Sequence, residues 1–197
     1  MPNRIKTKIH GSEKALKKIK EIAVKHVVVE EHDEELVPWK NVHIKATEYD
    51  EFDFEKIIPM PPHIYRGNLW REEEKKYWKS NCWYEWSCKH WWTKWNASEY
   101  EDCWDYLSFE TAWSCPIPII RELSCFVPDE KFFIERADEA VWNWWWRFYA
   151  ENWNLYDVED ELQLSDEEIW FSVWQDVPDN ECKSAREEMK ADQEKEE

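Results

Sequence analysis

Arg4-Ile5-Lys6-Thr7-Lys8-Ile9-His10-Gly11-Ser12-Glu13-Lys14-Ala15-Leu16-Lys17-Lys18-Ile19-Lys20-Glu21-Ile22-Ala23 changes its hydrophobic period once, at Gly11-Ser12. Before that point Ile5, Thr7 and Ile9 alternate with Arg4, Lys6 and Lys8, the two-residue period of a half-buried strand. After it Ala15, Leu16, Ile19, Ile22 and Ala23 fall on one helical face, and Ser12 stands where an N-cap belongs. A strand that feeds directly into an amphipathic helix needs a sheet for that helix to cover. The stretch therefore sets the class as α+β.

The same switch recurs downstream. Residues 105–112 read as a strand, Pro116 suits the first turn of a helix, and Ile117, Ile119, Ile120, Leu123 and Phe126 follow until Pro128 stops it. Further strands are expected at 27–29, 42–46, 94–100, 131–136, 147–151 and 154–158. Glu30 to Glu35 reads as an acidic loop. The prolines at 59, 61 and 62 forbid helix or sheet interior. Residues 71–91 hold no proline or glycine and read as one helix whose aromatics are mostly core. Ser165-Asp166-Glu167-Glu168 is a capping box ahead of a last helix through Ile169, Phe171, Val173 and Trp174. Short antiparallel turns between strands imply helices packed on one face of an antiparallel sheet. The organisation expected is one α+β domain over 1–180, with its densest motifs at 82–160, and an acidic polar tail over 181–197.

Charge narrows the partners. The 197 residues carry a net −18, and residues 1–25 hold eight Lys/Arg against Glu13 and Glu21, a net of +6 that leaves −24 for the rest. An acidic body repels phosphate backbones and anionic lipid, so nucleic-acid binding by the whole surface is disfavoured. The basic first segment is where it would have to begin, although Lys6, Lys8, Lys14, Lys17, Lys18 and Lys20 also fit the solvated face of a strand and a helix. The N-terminus has no apolar export segment, and no stretch approaches the ~20 apolar residues of a membrane span. A cytoplasmic location with reduced cysteines is the simplest expectation.

Glycine is scarce. Average usage of ~7% would give about 14 glycines, whereas the chain has 2, beside 17 tryptophans. Turns and helix ends need residues at φ > 0, which glycine supplies most cheaply. Asn143-Trp144 and Asn152-Trp153 stand where hairpins favour Asn-Gly. One explanation is that Trp92, Trp142, Trp144, Trp146 and Trp153 are glycine positions in the working protein. UGA is read as tryptophan under one genetic code and as glycine under another. The other explanation is a tryptophan-rich binding surface.

Trp83-Tyr84-Glu85-Trp86 and Trp91-Trp92-Thr93-Lys94-Trp95-Asn96-Ala97, followed by Phe109-Glu110-Thr111-Ala112-Trp113-Ser114 with Pro116 and Pro118, and then Arg147-Phe148-Tyr149-Ala150-Glu151-Asn152, come in one order. Together they resemble the YubB-type ferredoxin-like family of phages and plasmids, most specifically its W-G-T-K-W-N signature. The likeness covers most of residues 1–160 and asks for glycine at 92 and 153, where this chain has tryptophan. It implies a ferredoxin-like α+β fold and residence on mobile elements. It implies no enzymatic activity, and the family name denotes topology, not an iron–sulfur cluster.

Candidate chemistry is sparse. Cys82, Cys88, His90 and Cys103 offer sulfur and nitrogen ligands, but the C-x₅-C spacing departs from the usual zinc pairs. No serine elbow, phosphate loop or dinucleotide fingerprint is present. The residues that stand out are Thr93, Lys94, Trp95 and Asn96, joined by Trp113: a hydroxyl, an ammonium, an amide and two indoles suited to an anionic or aromatic ligand. The structural alternative puts Trp95 and Trp113 in the core, with Thr93 and Asn96 satisfying turn backbone. No catalytic residue, metal or cofactor is assigned. The leading expectation is a non-catalytic accessory protein of a phage or plasmid whose acidic surface contacts a basic host or phage protein. The alternatives are a small-ligand or nucleotide-binding enzyme centred on Lys94, Asn96 and Trp95, and a nucleic-acid module using the basic N-terminal segment.

Overall fold

Ser12 Oγ accepts the Ala15 amide at 3.1 Å and caps helix α1 (Glu13–Ala23), which buries Ala15, Leu16, Ile19 and Ala23. The strand before it, β1 (Arg4–His10), sends Ile5 and Ile9 into the same core. This is the period switch read from the sequence, realised at the expected residues. The computed structural model describes residues 3–32, 44–68, 70–77, 81–140, 145–158 and 173.

After α1 come β2 (Val24–His32) and β3 (Ile44–Phe52), then a 3₁₀ turn at Phe54–Lys56. Helices α2 (Arg71–Tyr77) and α3 (Trp83–His90) follow, then β4 (Ser98–Asp102), β5 (Tyr106–Ala112), α4 (Ile117–Phe126), β6 (Phe132–Asp138), β7 (Trp145–Glu151) and β8 (Asn154–Asp157). Six strands form one sheet in the order β4-β5-β1-β6-β7-β8, every neighbouring pair antiparallel. The class is α+β with an antiparallel sheet. Strands β2 and β3 pair only with each other, as a separate two-stranded ribbon.

One face of the large sheet carries Ile5, Ile9, Leu107, Phe109, Ile134 and Phe148, and these share a single buried cluster with the inner faces of α1 and α4. Each fully buried Leu, Ile or Phe contributes roughly 1.5–3 kcal/mol. The other face is polar, and here a sequence expectation fails. Lys6 and Lys8 are not solvated; they are only 5% and 3% exposed. Strand β1 lies in the middle of the sheet, so its outward lysines sit among cross-strand neighbours. Lys6 stands opposite Glu110 and lies 3.6 Å from Glu101, while Lys8 stands opposite Glu135 with its ammonium over the Tyr106 ring.

Two further expectations change. Residues 71–91 are not one helix. Asn81 and Cys82 are drawn out by Tyr65, whose amide donates to the Asn81 carbonyl and whose carbonyl accepts from the Trp83 amide, both at 2.9 Å. That bridge from a distant loop leaves α2 and α3 as separate helices. Of the acidic stretch 30–35 expected as loop, residues 30–32 instead continue β2, with Glu30 opposite Ala46, and 33–35 lie outside the described residues. The expected hairpin at 143–144, the capping box at 165–168, most of the last helix and the tail at 181–197 lie outside the described residues. Val173 is described, as helical and fully buried. Among the described residues no helix is long and apolar enough to cross a membrane.

Candidate functional site

The segment that carries the candidate residues leaves the end of α3. Trp91 is buried, its Nε1–H donating to the Ile58 carbonyl at 3.0 Å, and its ring meets Phe54 and Trp86 edge-on. With Trp91 fixed, the chain turns through Trp92 and runs along the sheet edge toward β4.

Thr93 and Asn96 face inward. Thr93 is buried and its hydroxyl donates to the Ala112 carbonyl at 3.0 Å, tying the segment to the end of β5. Asn96 Oδ1 accepts the Phe54 amide at 2.8 Å, while its Nδ2 donates to Glu51 at 2.9 Å and to Asp53 at 3.0 Å. Asp53 Oδ1 in turn accepts the Glu55 amide and caps the 3₁₀ turn. Asn96 therefore ties the segment after α3 to three residues of one stretch, Glu51, Asp53 and Phe54, more than 40 positions earlier. Replacing it by alanine leaves the Phe54 amide without its acceptor and sets Glu51 and Asp53 facing each other. The expected loss is about 2 kcal/mol of stability, measured by urea unfolding; a change within about 0.5 kcal/mol would contradict this role.

Trp95 and Trp113 face outward. They are 44% and 46% exposed, so the expectation that they fill the core beneath the sheet is corrected. The Lys94 ammonium lies 4.1 Å from the Trp95 ring centroid, 5.4 Å from that of Trp113 and 5.7 Å from that of Tyr84. Three rings from α3, the segment after it and the end of β5 thus surround one cation at cation–π range. Among the described residues no carboxylate forms a salt bridge with it. Tyr84, from the first turn of α3, is the member that sequence spacing did not bring forward.

Trp113 holds an unusual backbone, φ 72. Its amide donates to the Asn3 carbonyl at 2.9 Å, the Thr111 hydroxyl donates to the Ser114 carbonyl at 2.8 Å, and the Ser114 hydroxyl donates to the Trp92 carbonyl. Left-handed backbone under a bulky side chain costs roughly 1–3 kcal/mol and persists only where surroundings enforce it. Here three hydrogen bonds do so.

On the other side of Trp95 lies an open depression of about 670 Å³ lined by Arg4, Glu51, Trp95, Asn96, Ser98 and Thr111, among others. Lys94 is not among its walls. The Arg4 guanidinium there is held by Glu110 at 3.0 Å and Glu139 at 3.1 Å.

The cysteine set is dispersed. His90 Nδ1–H donates to the Trp86 carbonyl at 2.8 Å and its ring stacks on Trp86. Burial, with the Glu85 charge behind it, raises the Cys88 thiol. Among the described residues no three His, Cys, Asp or Glu side chains gather closely enough to hold a metal. Comparison with known family models, curated proteins and solved structures returns no match.

Proposed function

We propose that this chain is a non-catalytic interaction protein of a phage or plasmid, working in the cytoplasm, which docks a basic protein partner through Trp95 and Trp113. The observation that carries the reading is the pair of half-exposed indoles flanking Lys94. Tryptophan is the residue most enriched among interface positions that dominate binding energy. A solvent-facing pair kept in place by an ammonium and a strained turn is organised before any partner arrives. The polar atoms of Thr93 and Asn96 are spent inside the fold, so contact falls to the indoles, with Lys94 holding them in place. Net charge −18 steers a cationic partner toward the body, and arginine guanidinium stacks well on indole faces.

The ferredoxin-like part of the proposal rests on strand order. The connection from β1 runs through α1, the β2–β3 ribbon, α2 and α3 before it re-enters the large sheet as β4, which lies beyond β5. The connection from β5 through α4 ends in β6, which lies beyond β1. Two crossovers, each spanning one antiparallel strand, are the split β-α-β pattern of that topology. The family resemblance is consistent with it.

The depression beside Trp95 favours a second reading, a small ligand held there. The nucleic-acid reading loses surface, because Lys6 and Lys8 are buried in the sheet and Lys14 and Lys20 are paired with Glu130 and Asp102. One titration separates all three. An arginine-rich peptide, a mononucleotide and a single-stranded oligonucleotide are each added while the indole N–H resonances are followed. The peptide should shift Trp95 and Trp113, and W95A with W113A should weaken it by about tenfold or more. A peptide that leaves both indoles unmoved, or a nucleotide or oligonucleotide that moves them instead, refutes the basic-partner reading.

A further inference from the structure

Five described residues other than glycine have positive φ: Trp92 (63°), Glu99 (48°), Trp113 (72°), Asn152 (46°) and Trp153 (72°). Neither of the two glycines does. Asparagine tolerates the left-handed region, and Glu99 sits where the β4–β5 register shifts. Tryptophan has no such excuse. A bulky side chain at φ > 0 is a genuine outlier, and three tryptophans among the described residues show it.

Trp92 and Trp153 occupy the two places where glycine is most at home. Helix α3 ends at His90, Trp91 is its C-cap, and Trp92 is the next residue, the position at which helices commonly close on a left-handed glycine. Asn152 and Trp153 form a two-residue loop between Glu151 and Asn154, which face each other across the β7–β8 ladder. Both loop residues have φ > 0, the requirement of a type I′ turn and the reason Asn-Gly dominates it. The Trp153 amide also donates to Ser124 Oγ on α4 at 2.8 Å, so the turn is docked in place.

Both indoles are half exposed, Trp92 at 52% and Trp153 at 47%, and among the described residues neither ring stacks on another ring or covers a cation. Other tryptophans behave differently. Trp113 faces Lys94. Trp146, named above as a candidate glycine, donates from Nε1 to Asp157 at 2.6 Å, packs 4.2 Å from Phe148 and lies over Arg136. It uses its ring as tryptophan does, within a strand.

We propose that residues 92 and 153 are encoded by UGA and that the cell making the working protein inserts glycine at both. The backbone keeps the glycine conformation even under the largest side chain. The inference does not depend on the function proposed above, since neither residue belongs to the Trp95–Trp113 pair.

The coding sequence and the folded protein give separate tests. Codons 92 and 153 should be UGA, whereas 95, 113 and 146 should be UGG; UGG at 92 or 153 overturns the assignment. Mass spectrometry of the protein from its own host should find glycine in the peptides covering 92 and 153, and tryptophan there would overturn it equally. Independently of the source, the double variant Trp92→Gly, Trp153→Gly should melt roughly 2–6 °C higher than the tryptophan form, because relief of left-handed strain exceeds the entropy that glycine adds. The control Trp95→Gly, at a residue with ordinary φ, should melt no higher. A double variant that melts at or below the tryptophan form removes the geometric ground for the proposal.

Discussion

Glu135→Ala will destabilise the fold by about 3–5 kcal/mol, the expected cost of removing one partner from a buried ion pair. Glu135 lies on the polar face of the sheet, 7% exposed, on the strand between β1 and β7. Its carboxylate meets Arg147 at 2.7 Å and His10 Nε2 at 2.9 Å, with Lys8 opposite in the β1 register. Charges alternate across the strands: Glu101 and Glu110 on β4 and β5, Lys6 and Lys8 on β1, Glu135 on β6, Arg147 on β7. Removing this acid leaves Lys8 and Arg147 on the two neighbouring strands in a region shielded from water. The pH dependence follows. Burial pushes the Glu135 carboxyl up, but the hydrogen bond and charge of His10, then Arg147, outweigh it and hold the pKa below the usual glutamate value. A depressed folded pKa stabilises above the unfolded value of about 4.3, and that contribution disappears as pH falls through the folded one. The parent should therefore exceed Glu135→Gln in stability near neutrality and converge with it in acid. Urea midpoints across that range decide the matter. A Glu135→Ala loss below about 1 kcal/mol, within what a surface pair is worth, would show that the ladder does not hold the sheet.

That ladder also shows where reading the sequence stopped. The alternation of Ile5, Thr7 and Ile9 with lysines identified a strand and its apolar face correctly, because both follow from spacing along one segment. Whether the lysines met water depended on β1 becoming a central strand, flanked by acids more than 90 residues away. No local pattern contains that pairing. The helix over 71–91 failed for the same reason: the break at Asn81-Cys82 is imposed by Tyr65 across the chain. In the candidate site, chemistry was legible and orientation was not. Thr93-Lys94-Trp95-Asn96 has no period that separates inside from outside; which residues turned inward was set by Ala112 and Phe54, the partners of Thr93 and Asn96. The glycine deficit was legible from composition alone, since a fold needs a certain number of left-handed residues wherever they fall. Of the five tryptophans singled out, 92 and 153 have left-handed backbone, 146 does not, and 142 and 144 lie outside the described residues.

Phe109→Ala is expected to cost about 3–5 kcal/mol through the cavity it leaves, and its second consequence bears on function. Phe109 is fully buried on β5, stacked on Phe52 at 4.6 Å and edge-on to Phe54 at 5.9 Å; Phe54 in turn meets Trp91 at 5.7 Å. This aromatic cluster joins the base of the β2–β3 ribbon, the 3₁₀ turn, the end of α3 and the central sheet. Both arms of the Trp95–Trp113 pair start from it, one through Trp91 and the other along β5. Phe148 is equally buried on the same face, but three strands away on β7, where it packs with Trp146. Phe148→Ala should cost a similar amount of stability without moving the indoles. Under conditions where both variants stay folded, Phe109→Ala should weaken arginine-peptide binding and broaden the Trp95 and Trp113 indole signals, whereas Phe148→Ala should do neither. Equal effects of the two on binding would mean that peptide affinity follows global stability, not the rigidity of the platform that Phe109 supports.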